Sequence, residues 1–144
     1  MFRHILIATD GSEVAKRAVD QGIALAKALQ ATVTAVTVTE PISPTVGVMG
    51  MASAAKLFET QIADLASKVL SPIGLAAKAA GVACNTIHIA GQHPAEGIIE
   101  AAKQHGCDVI VMASHGRRGL KRLLLGSQTQ EVVTLSPIPV LVWR

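Results

Sequence analysis

The sequence predicts a three-layer α/β protein whose doubly wound, mostly parallel sheet has five strands in the order 3-2-1-4-5, flanked by about four helices. Short apolar runs alternate with segments of helical period, which is typical of β-α-β units with right-handed crossovers. Half of the residues are hydrophobic, with two Phe, one Trp and no Tyr, so the core is aliphatic, as in sheets covered on both faces. A length of 144 residues fits one domain, residues 1–144.

The first strand and helix are marked by a change of period at Asp10. Phe2 to Thr9 is a compact apolar run, and Asp10-Gly11-Ser12 ends it. A helix from Ser12 to Leu29 follows, with a serine at its start as the capping residue. Its apolar stripe, which we expect to cover the sheet, consists of Ala15, Val19, Ile23, Ala26 and Leu29.

The second strand is predicted from β-branched residues over Thr32 to Thr39, and it ends before a proline. Pro41 to Gly50 has no steady period and is long for a connection, which indicates a mobile loop. A helical segment extends from Met51 to Ala80. Pro72 lies inside it and is expected to bend or divide the helix.

The remaining elements follow in regular alternation. Val82 to Ala90 is predicted as the third strand, and a helix from Pro94 to about His105 begins with proline in its favoured first turn. Cys107 to Met112 is a short, fully buried strand. After a glycine-rich loop, a helix from Ser127 to Leu135 and a terminal strand from Val140 to Trp143 complete the chain.

The glycine-rich loop after the fourth strand has the composition of a phosphate-binding site. Ala113-Ser114-His115-Gly116 is followed by nine residues and then by Gly126-Ser127-Gln128-Thr129. Glycine lets backbone amides approach phosphate oxygens, and a helix beginning near Ser127 offers unpaired amides and a favourable dipole. Ser127 and Thr129 add hydroxyl donors. The carboxyl end of a strand is also where open α/β sheets bind ligands.

The net charge of +3 is local to this loop, because it would be −1 without Arg117, Arg118, Lys121 and Arg122. Arg117 and Arg118 are candidates for contacts with phosphates. A structural interpretation also accounts for each residue alone: turn glycines, Ser127 as an ordinary helix cap, and solvated arginines. His115 is equally explained as a phosphate contact or as a histidine held by backbone hydrogen bonds.

Composition argues against several other classes of function. No apolar segment approaches the ~20 residues needed to span a bilayer, and the start of the chain does not resemble a secretory signal, so we expect a cytoplasmic protein. Cys84 and Cys107 lack metal-ligand or redox spacing and are expected to be reduced and buried. The five histidines form no zinc motif. Nucleic-acid binding is disfavoured because aromatic stacking residues are nearly absent.

Three pieces in order, Ile5 to Ser12, the Gly116 and Gly126-Ser127 loop, and the closing Pro139 to Val142, resemble the universal stress protein family over essentially the whole chain. The spacing G-x2-G-x9-G-[S/T] is similar to that family's nucleotide-binding signature, and members that carry it commonly bind ATP. Ala113 stands where the signature has its first glycine. Alanine is harmless there at negative φ, but it would resist a positive φ or crowd a phosphate.

The resemblance also implies further contacts. Asp10 would accept hydrogen bonds from ribose hydroxyls, Ala8 and Thr9 would flank the adenine, and the backbone of Val38 would lie against the base. A cap or turn role explains Asp10 equally well from the sequence. The candidate nucleotide site thus comprises Ala8, Thr9, Asp10, Val38, Ala113, Ser114, His115, Gly116, Arg117, Arg118, Gly126, Ser127, Gln128 and Thr129.

The leading hypothesis is a stress-response protein that binds ATP, or ADP or AMP, with Mg²⁺ or Mn²⁺ as an accompanying ion, and uses the nucleotide as a signal or conformational switch. A slow ATPase or phosphoryl-transfer protein is a second hypothesis, although the sequence has no G-x4-G-K-[S/T] loop. A nucleotide-free dimeric scaffold is the third. The apolar terminal strand, Val140 to Trp143, together with the family's habit, predicts a homodimer through that strand.

Overall fold

A computed structural model of the chain describes residues 1–42, 52–117 and 124–144, with the side chains of residues 52 and 53 excepted. The elements in order are β1 (His4–Ala8), α1 (Glu13–Leu29), β2 (Thr32–Thr39), α2 (Ala52–Ala80), β3 (Cys84–Ala90), α3 (Pro94–Gln104), β4 (Val109–Ala113), α4 (Ser127–Leu135) and β5 (Val140–Trp143). Most of the predicted loop from Pro41 to Gly50 lies outside the described residues.

The five strands form one sheet in the order β3-β2-β1-β4-β5, which confirms the predicted fold. Every neighbouring pair is parallel, so "mostly parallel" understated the regularity. β1 is central: Ile7 is paired with Ala35 of β2 on one side and with Val111 of β4 on the other. The carboxyl ends of β1, β2 and β4 therefore meet at one edge of the sheet.

An aliphatic core lies on each face of this sheet. On one face, Val19 and Ile23 of α1 and Ile73 of α2 pack against strand residues that include Ile7. On the other face, Ile98 of α3 and Val132 of α4 pack against Leu6. The alternation of Leu6 and Ile7 between the two clusters follows from the two-residue period of a strand. Burial on both faces explains why the strands read as continuous apolar runs.

Two strands begin later than predicted because their first apolar residues close the preceding helix instead. The amide of Val82 donates to the carbonyl of Ala77 at 2.9 Å, and the amide of Cys107 donates to that of Ala102 at 2.8 Å. In both places a glycine in the left-handed region precedes the apolar residue, with φ of +77° at Gly81 and +65° at Gly106. These are Schellman-type helix ends. β4 also ends one residue later than predicted, at Ala113 instead of Met112.

Four smaller expectations were wrong. β1 is shorter than predicted, His4–Ala8. Pro72 does not divide α2, because the turns on either side are held by packing of Leu70 and Ile73 in the core, and the expected bend stays a prediction. Leu29 is exposed, since Gln30 turns the chain at a φ of 54° and Ala31 takes the buried position. Cys84 is only half-buried because it lies on the edge strand β3, whereas Cys107 is buried.

Candidate functional site

The candidate site lies where β1 and β4 sit side by side in the sheet. The chain leaves β1 toward α1 and leaves β4 toward α4, on opposite faces, so the two loops diverge from neighbouring strand ends. Doubly wound sheets bind ligands in such a crevice. Asp10 follows β1, and the segment from Ser114 to Arg117 follows β4.

Asp10 joins the two loops through its carboxylate. Oδ1 accepts a hydrogen bond from the Ser12 amide at 2.9 Å, which forms an Asx turn at the start of α1. Oδ2 accepts a hydrogen bond from the Arg117 amide at 2.9 Å. Burial alone would raise the pKa of Asp10, but the Ser12 hydroxyl and amide, the Arg117 amide and the Arg117 charge together hold that pKa below its ordinary value. The carboxylate is thus ionised and in place before any ligand arrives.

The lowered pKa of Asp10 predicts a defined acid sensitivity. A carboxyl whose pKa is lower in the folded than in the unfolded protein stabilises the fold above the unfolded value of 3.8. That stability is lost as the pH falls through the lowered folded value. In urea unfolding from about pH 2 to about pH 7, we expect wild type to be more stable than Asp10→Asn at neutral pH. This advantage should disappear at the acid end. A constant difference across the range would contradict it.

Gly116 is required by the position of Asp10. A Cβ on Gly116 would overlap Oδ2 of Asp10, so no other residue fits without moving the carboxylate. Ala113 raises no such problem. Its φ is not positive, since among the described residues only Gln30 is a non-glycine with positive φ. The substitution of alanine at the first position of the signature is therefore compatible with this backbone.

The amino terminus of α4 faces the same crevice. Gly126 is its N-cap residue, and no side chain caps the helix, so Ser127 is the first helical residue and the interpretation of Ser127 as the cap was wrong. The Gly126 amide donates to the Ser114 carbonyl at 2.7 Å, which closes the loop onto the helix. The next amides are those of Ser127, Gln128 and Thr129, which an α-helix leaves without intrahelical acceptors. They lie beside a cavity of about 280 Å³.

Several side chains of the predicted site have partners within the protein. The buried hydroxyl of Thr129 donates to the Ala113 carbonyl at 2.9 Å. Oε1 of Gln128 accepts from the Ala95 amide at 3.1 Å and so caps α3. Nδ1 of His115 lies 3.0 Å from Oγ of Ser114, so this histidine is held by a side chain and not by the backbone. These contacts position the loop and leave the backbone amides as its free donors.

A second, narrower cavity of about 80 Å³ continues from the first along β1 and β2. The two cavities share Asp10, Gly116 and Thr129. The narrow cavity brings together the predicted residues Ala8, Thr9 and Val38, and its walls are mainly aliphatic. Sequence reasoning missed three of its apolar wall residues, Val36, Ile98 and Met112. No sequence signal separates them from ordinary core residues.

Of the basic cluster, Arg117 lies within the described residues. It lines the cavity of about 280 Å³ beside α4, and its Nη2 lies 3.4 Å from where a Cβ on Gly11 would stand. Arg118, Lys121 and Arg122 lie outside the described residues, so their predicted role stays a prediction. Glu40 lines the same cavity as Ser127, and sequence reasoning missed it. Its place directly after β2, at the edge that carries Asp10, was the signal that could have found it.

Within residues 1–42, 54–117 and 124–144 there is no group of three or more His, Cys, Asp and Glu side chains arranged to hold a metal ion. Burial raises the pKa of the Cys107 thiol to about 11, which makes it a poor nucleophile. No helix in the described part of the chain is long and apolar enough to cross a bilayer. The groups that the site offers a ligand are backbone amides, the carboxylates of Asp10 and Glu40, the Arg117 guanidinium and aliphatic walls.

These features define a doubly wound α/β protein with a small-ligand crevice at the carboxyl edge of its parallel sheet. The sequence profile of the universal stress protein family matches residues 1–144. The chain is 34% identical to universal stress protein YxiE of Bacillus subtilis over 100% of both sequences. It belongs to the universal stress protein family, as the resemblance of its motifs predicted.

Solved structures agree with this assignment. The fold superimposes on the protein MJ0577 of Methanocaldococcus jannaschii with a TM-score of 0.80 and 29% identity, over 99% of this chain and 95% of that one. It also superimposes on a universal stress protein in complex with cAMP, with a TM-score of 0.74 and 25% identity, over 99% of this chain and 97% of the other. At least one protein of this fold and family thus binds an adenine nucleotide.

Proposed function

We propose that residues 1–144 act as one adenine-nucleotide-binding domain, with ATP as the ligand and ADP or AMP as alternatives, in a cytoplasmic stress response. The observation that carries the proposal is the row of amides at the start of α4, placed beside Gly116 and the ionised Asp10 at the mouth of an aliphatic cavity. Amides at a helix terminus stabilise phosphate oxygens, and the helix dipole adds to this. A relative of known structure in complex with cAMP supports the choice of adenine.

Each part of the nucleotide has a suitable surface. The base would lie at the narrow cavity, which Val36, Val38 and Ile98 line with aliphatic side chains. The ribose hydroxyls reach Asp10, whose oxygens each retain a second lone pair beside the amide they already accept. The phosphates meet the amides of Ser127 to Thr129. The nucleotide then bridges the same two loops that Asp10 joins, which is how binding can act as a conformational signal.

Magnesium or manganese would enter this site on the phosphates. Carboxylate oxygens are the protein ligands that such hard ions prefer, and Glu40 lines the cavity beside the start of α4. Asp10 is less suited because both of its oxygens accept amide hydrogen bonds. The ion would neutralise phosphate charge that Glu40 would otherwise repel.

The direct test is to identify what the protein carries and binds. Purified protein is extracted with acid and the released material is analysed for adenine nucleotides. Calorimetric titration with ATP, AMP and GTP follows, with and without Mg²⁺. We expect saturable binding of one adenine nucleotide per chain and weaker binding of GTP. No saturable binding of any adenine nucleotide would support the nucleotide-free scaffold instead.

We further propose that the chain forms a homodimer through β5. This strand lies at the edge of the sheet, and Trp143 is 37% exposed. The carbonyls of Pro139 and Trp143 accept hydrogen bonds from the amides of Ile110 in β4 and of Ser114 directly after it. Because alternate residues of a parallel strand direct their backbone groups to opposite sides, Val140 and Val142 direct theirs away from the sheet. An open edge of this kind pairs with another strand.

Replacing Val142 by proline tests this edge directly. Proline removes an outward amide but leaves the bonds that β5 makes to β4, and edge strands tolerate it. In sedimentation velocity we expect wild type to sediment as a dimer and Val142→Pro as a monomer. Val133→Ser, on the exposed side of α4, is the control and should stay dimeric. If wild type is a monomer, or if Val142→Pro remains a dimer, β5 is not the interface.

A further inference from the structure

A cavity of about 700 Å³ lies between α1 and α2. It is on the opposite face of the sheet from the narrow cavity of about 80 Å³ proposed for the base, which is called the adenine cavity below. Its lining residues Val19 and Ile73 belong to the core cluster of that face, whereas Ile98 of the adenine cavity belongs to the other. Pockets for small organic ligands in proteins have volumes of about 300–1,000 Å³. The cavity therefore has the size of a ligand site, and it meets the proposed nucleotide site only at Thr9, Asp10 and Arg117.

The helical walls of this cavity are mainly apolar, and Thr37 and Thr39 of β2 also line it. α1 contributes Val19, and α2 contributes Ile62, Ala66, Val69 and Ile73. Their spacing of three or four residues places the α2 side chains on one face of the helix. Leu65 stands at the rim and is 61% exposed. An occupant that covered these side chains would remove apolar surface from water, which is the main source of favourable free energy for such ligands.

One end of the cavity is basic. Lys68 and Arg117 both line it, and neither forms an ion pair within 4 Å among the described residues. They lie at the same end: Val69, next to Lys68, and Nη2 of Arg117 both approach Gly11, at 2.7 and 3.4 Å from where its Cβ would stand. A third cation, Lys16, is already bonded to Glu13 at 2.8 Å.

Two acids, Asp10 and Asp20, also line this cavity, and Asp10 is close enough to Arg117 for their charges to attract. Asp10 accepts amide hydrogen bonds on both oxygens. Asp20 is exposed on α1, one turn beyond Lys16. Lys68 and Arg117 are exposed residues that line this cavity, and a guanidinium is suited to hold a carboxylate by paired hydrogen bonds.

We propose that this cavity binds a free monocarboxylic acid with an unbranched apolar tail, the chemistry of a medium-chain fatty acid. The carboxylate lies between Arg117 and Lys68 beside Gly11. The tail extends between α1 and α2 along Val19, Ala66 and Ile73. The tail region lies on the other face of the sheet and includes neither the start of α4 nor Gly126, whereas Asp10 and Arg117 line both this cavity and the proposed phosphate crevice.

Decanoate below its micelle-forming concentration is the probe, and 1-decanol is the neutral control of equal length. We expect saturable binding of one decanoate per chain by calorimetry. Decanol should bind about tenfold more weakly or worse, because it lacks the charge-assisted hydrogen bonds. Arg117→Gln and Lys68→Gln should each weaken decanoate but not decanol. Absence of saturable decanoate binding, or equal binding of decanol and decanoate, would overturn the proposal.

A further measurement locates the ligand. Methyl NMR signals of Val69 and Ile73 should shift on titration, while those of Val38 and Ile98 in the adenine cavity stay unchanged. The reverse pattern would refute the assignment to this cavity. Decanoate is titrated in the absence of nucleotide, so a failure of ATP to bind leaves this result intact.

Discussion

Gly126→Val is expected to abolish ATP binding while the protein remains folded. A Cβ at Gly126 would lie 3.1 Å from Cα of His115, which is closer than ordinary contact, and this backbone atom cannot rotate away. The φ of −60° and ψ of 153° at this position are ordinary for valine, so the obstacle is space and not backbone conformation. The loop after β4 must therefore move away from the start of α4.

That displacement separates the parts that a phosphate would contact together. The hydrogen bond from the Gly126 amide to the Ser114 carbonyl, 2.7 Å long, now holds Gly116 and the amides of α4 in one crevice. Losing two charge-assisted hydrogen bonds to phosphate, each about 1.5–3 kcal/mol, would weaken binding by about 100-fold or more. Calorimetric titration of wild type and variant with ATP measures this factor.

Gly74→Val is the matched control. Gly74 lies in α2, and its Cβ would meet only Cγ2 of Thr86, at the ordinary contact distance of 3.8 Å. This variant should bind ATP as wild type does, and circular dichroism should show that both variants are folded. If Gly126→Val bound ATP within about threefold of wild type, a difference under 1 kcal/mol, the crevice at the start of α4 would not be the phosphate site.

The order of the strands was accessible from sequence because each local signal agreed with the next. Aliphatic runs of strand length alternate with helical segments, and only a few topologies satisfy right-handed crossovers in such a chain. The starts of β3 and β4 were not accessible to the same reasoning. Val82 and Cys107 are as apolar as the strand residues after them, and only the hydrogen bonds to Ala77 and Ala102 show that they end helices.

The site was predictable as a location but not as a set of contacts. The spacing of Gly116 and Gly126 after a buried strand indicated the loop, and the structure brings both glycines to one cavity. The sequence could not reveal that the hydroxyl of Thr129 is donated to Ala113 or that Gln128 caps α3. Those partners are distant in the chain. The sequence pattern around a polar residue is the same whether its side chain binds a ligand or another part of the protein.

Asp10 illustrates why two roles that looked like alternatives coexist. Its Asx turn to Ser12 and its bond to the Arg117 amide make it a structural residue. The same bonds hold the carboxylate ionised at the point where the two loops meet. A ribose placed there would find an acceptor already oriented, so the structural role supports the proposed binding role and does not replace it.

Leu6→Ala is expected to destabilise the fold strongly, although Leu6 lies outside the site. Leu6 lies on β1, the central strand, and is 0% exposed. It packs in the cluster that α3 and α4 form on one face of the sheet, with Ile110 of β4 beside it in register. Truncating a fully buried leucine removes its transfer free energy and leaves a cavity, which costs about 2–5 kcal/mol of unfolding free energy.

Urea unfolding followed by circular dichroism measures that loss, and Leu75→Ala supplies the comparison. Leu75 is 70% exposed on α2, so its truncation should change the free energy of unfolding by less than about 0.5 kcal/mol. Because both variants replace leucine by alanine, the difference between their losses of unfolding free energy measures the effect of burial. A loss below about 1 kcal/mol for Leu6→Ala would mean that the sheet relaxes around the missing side chain. That outcome would contradict close packing of the sheet between its two helical layers.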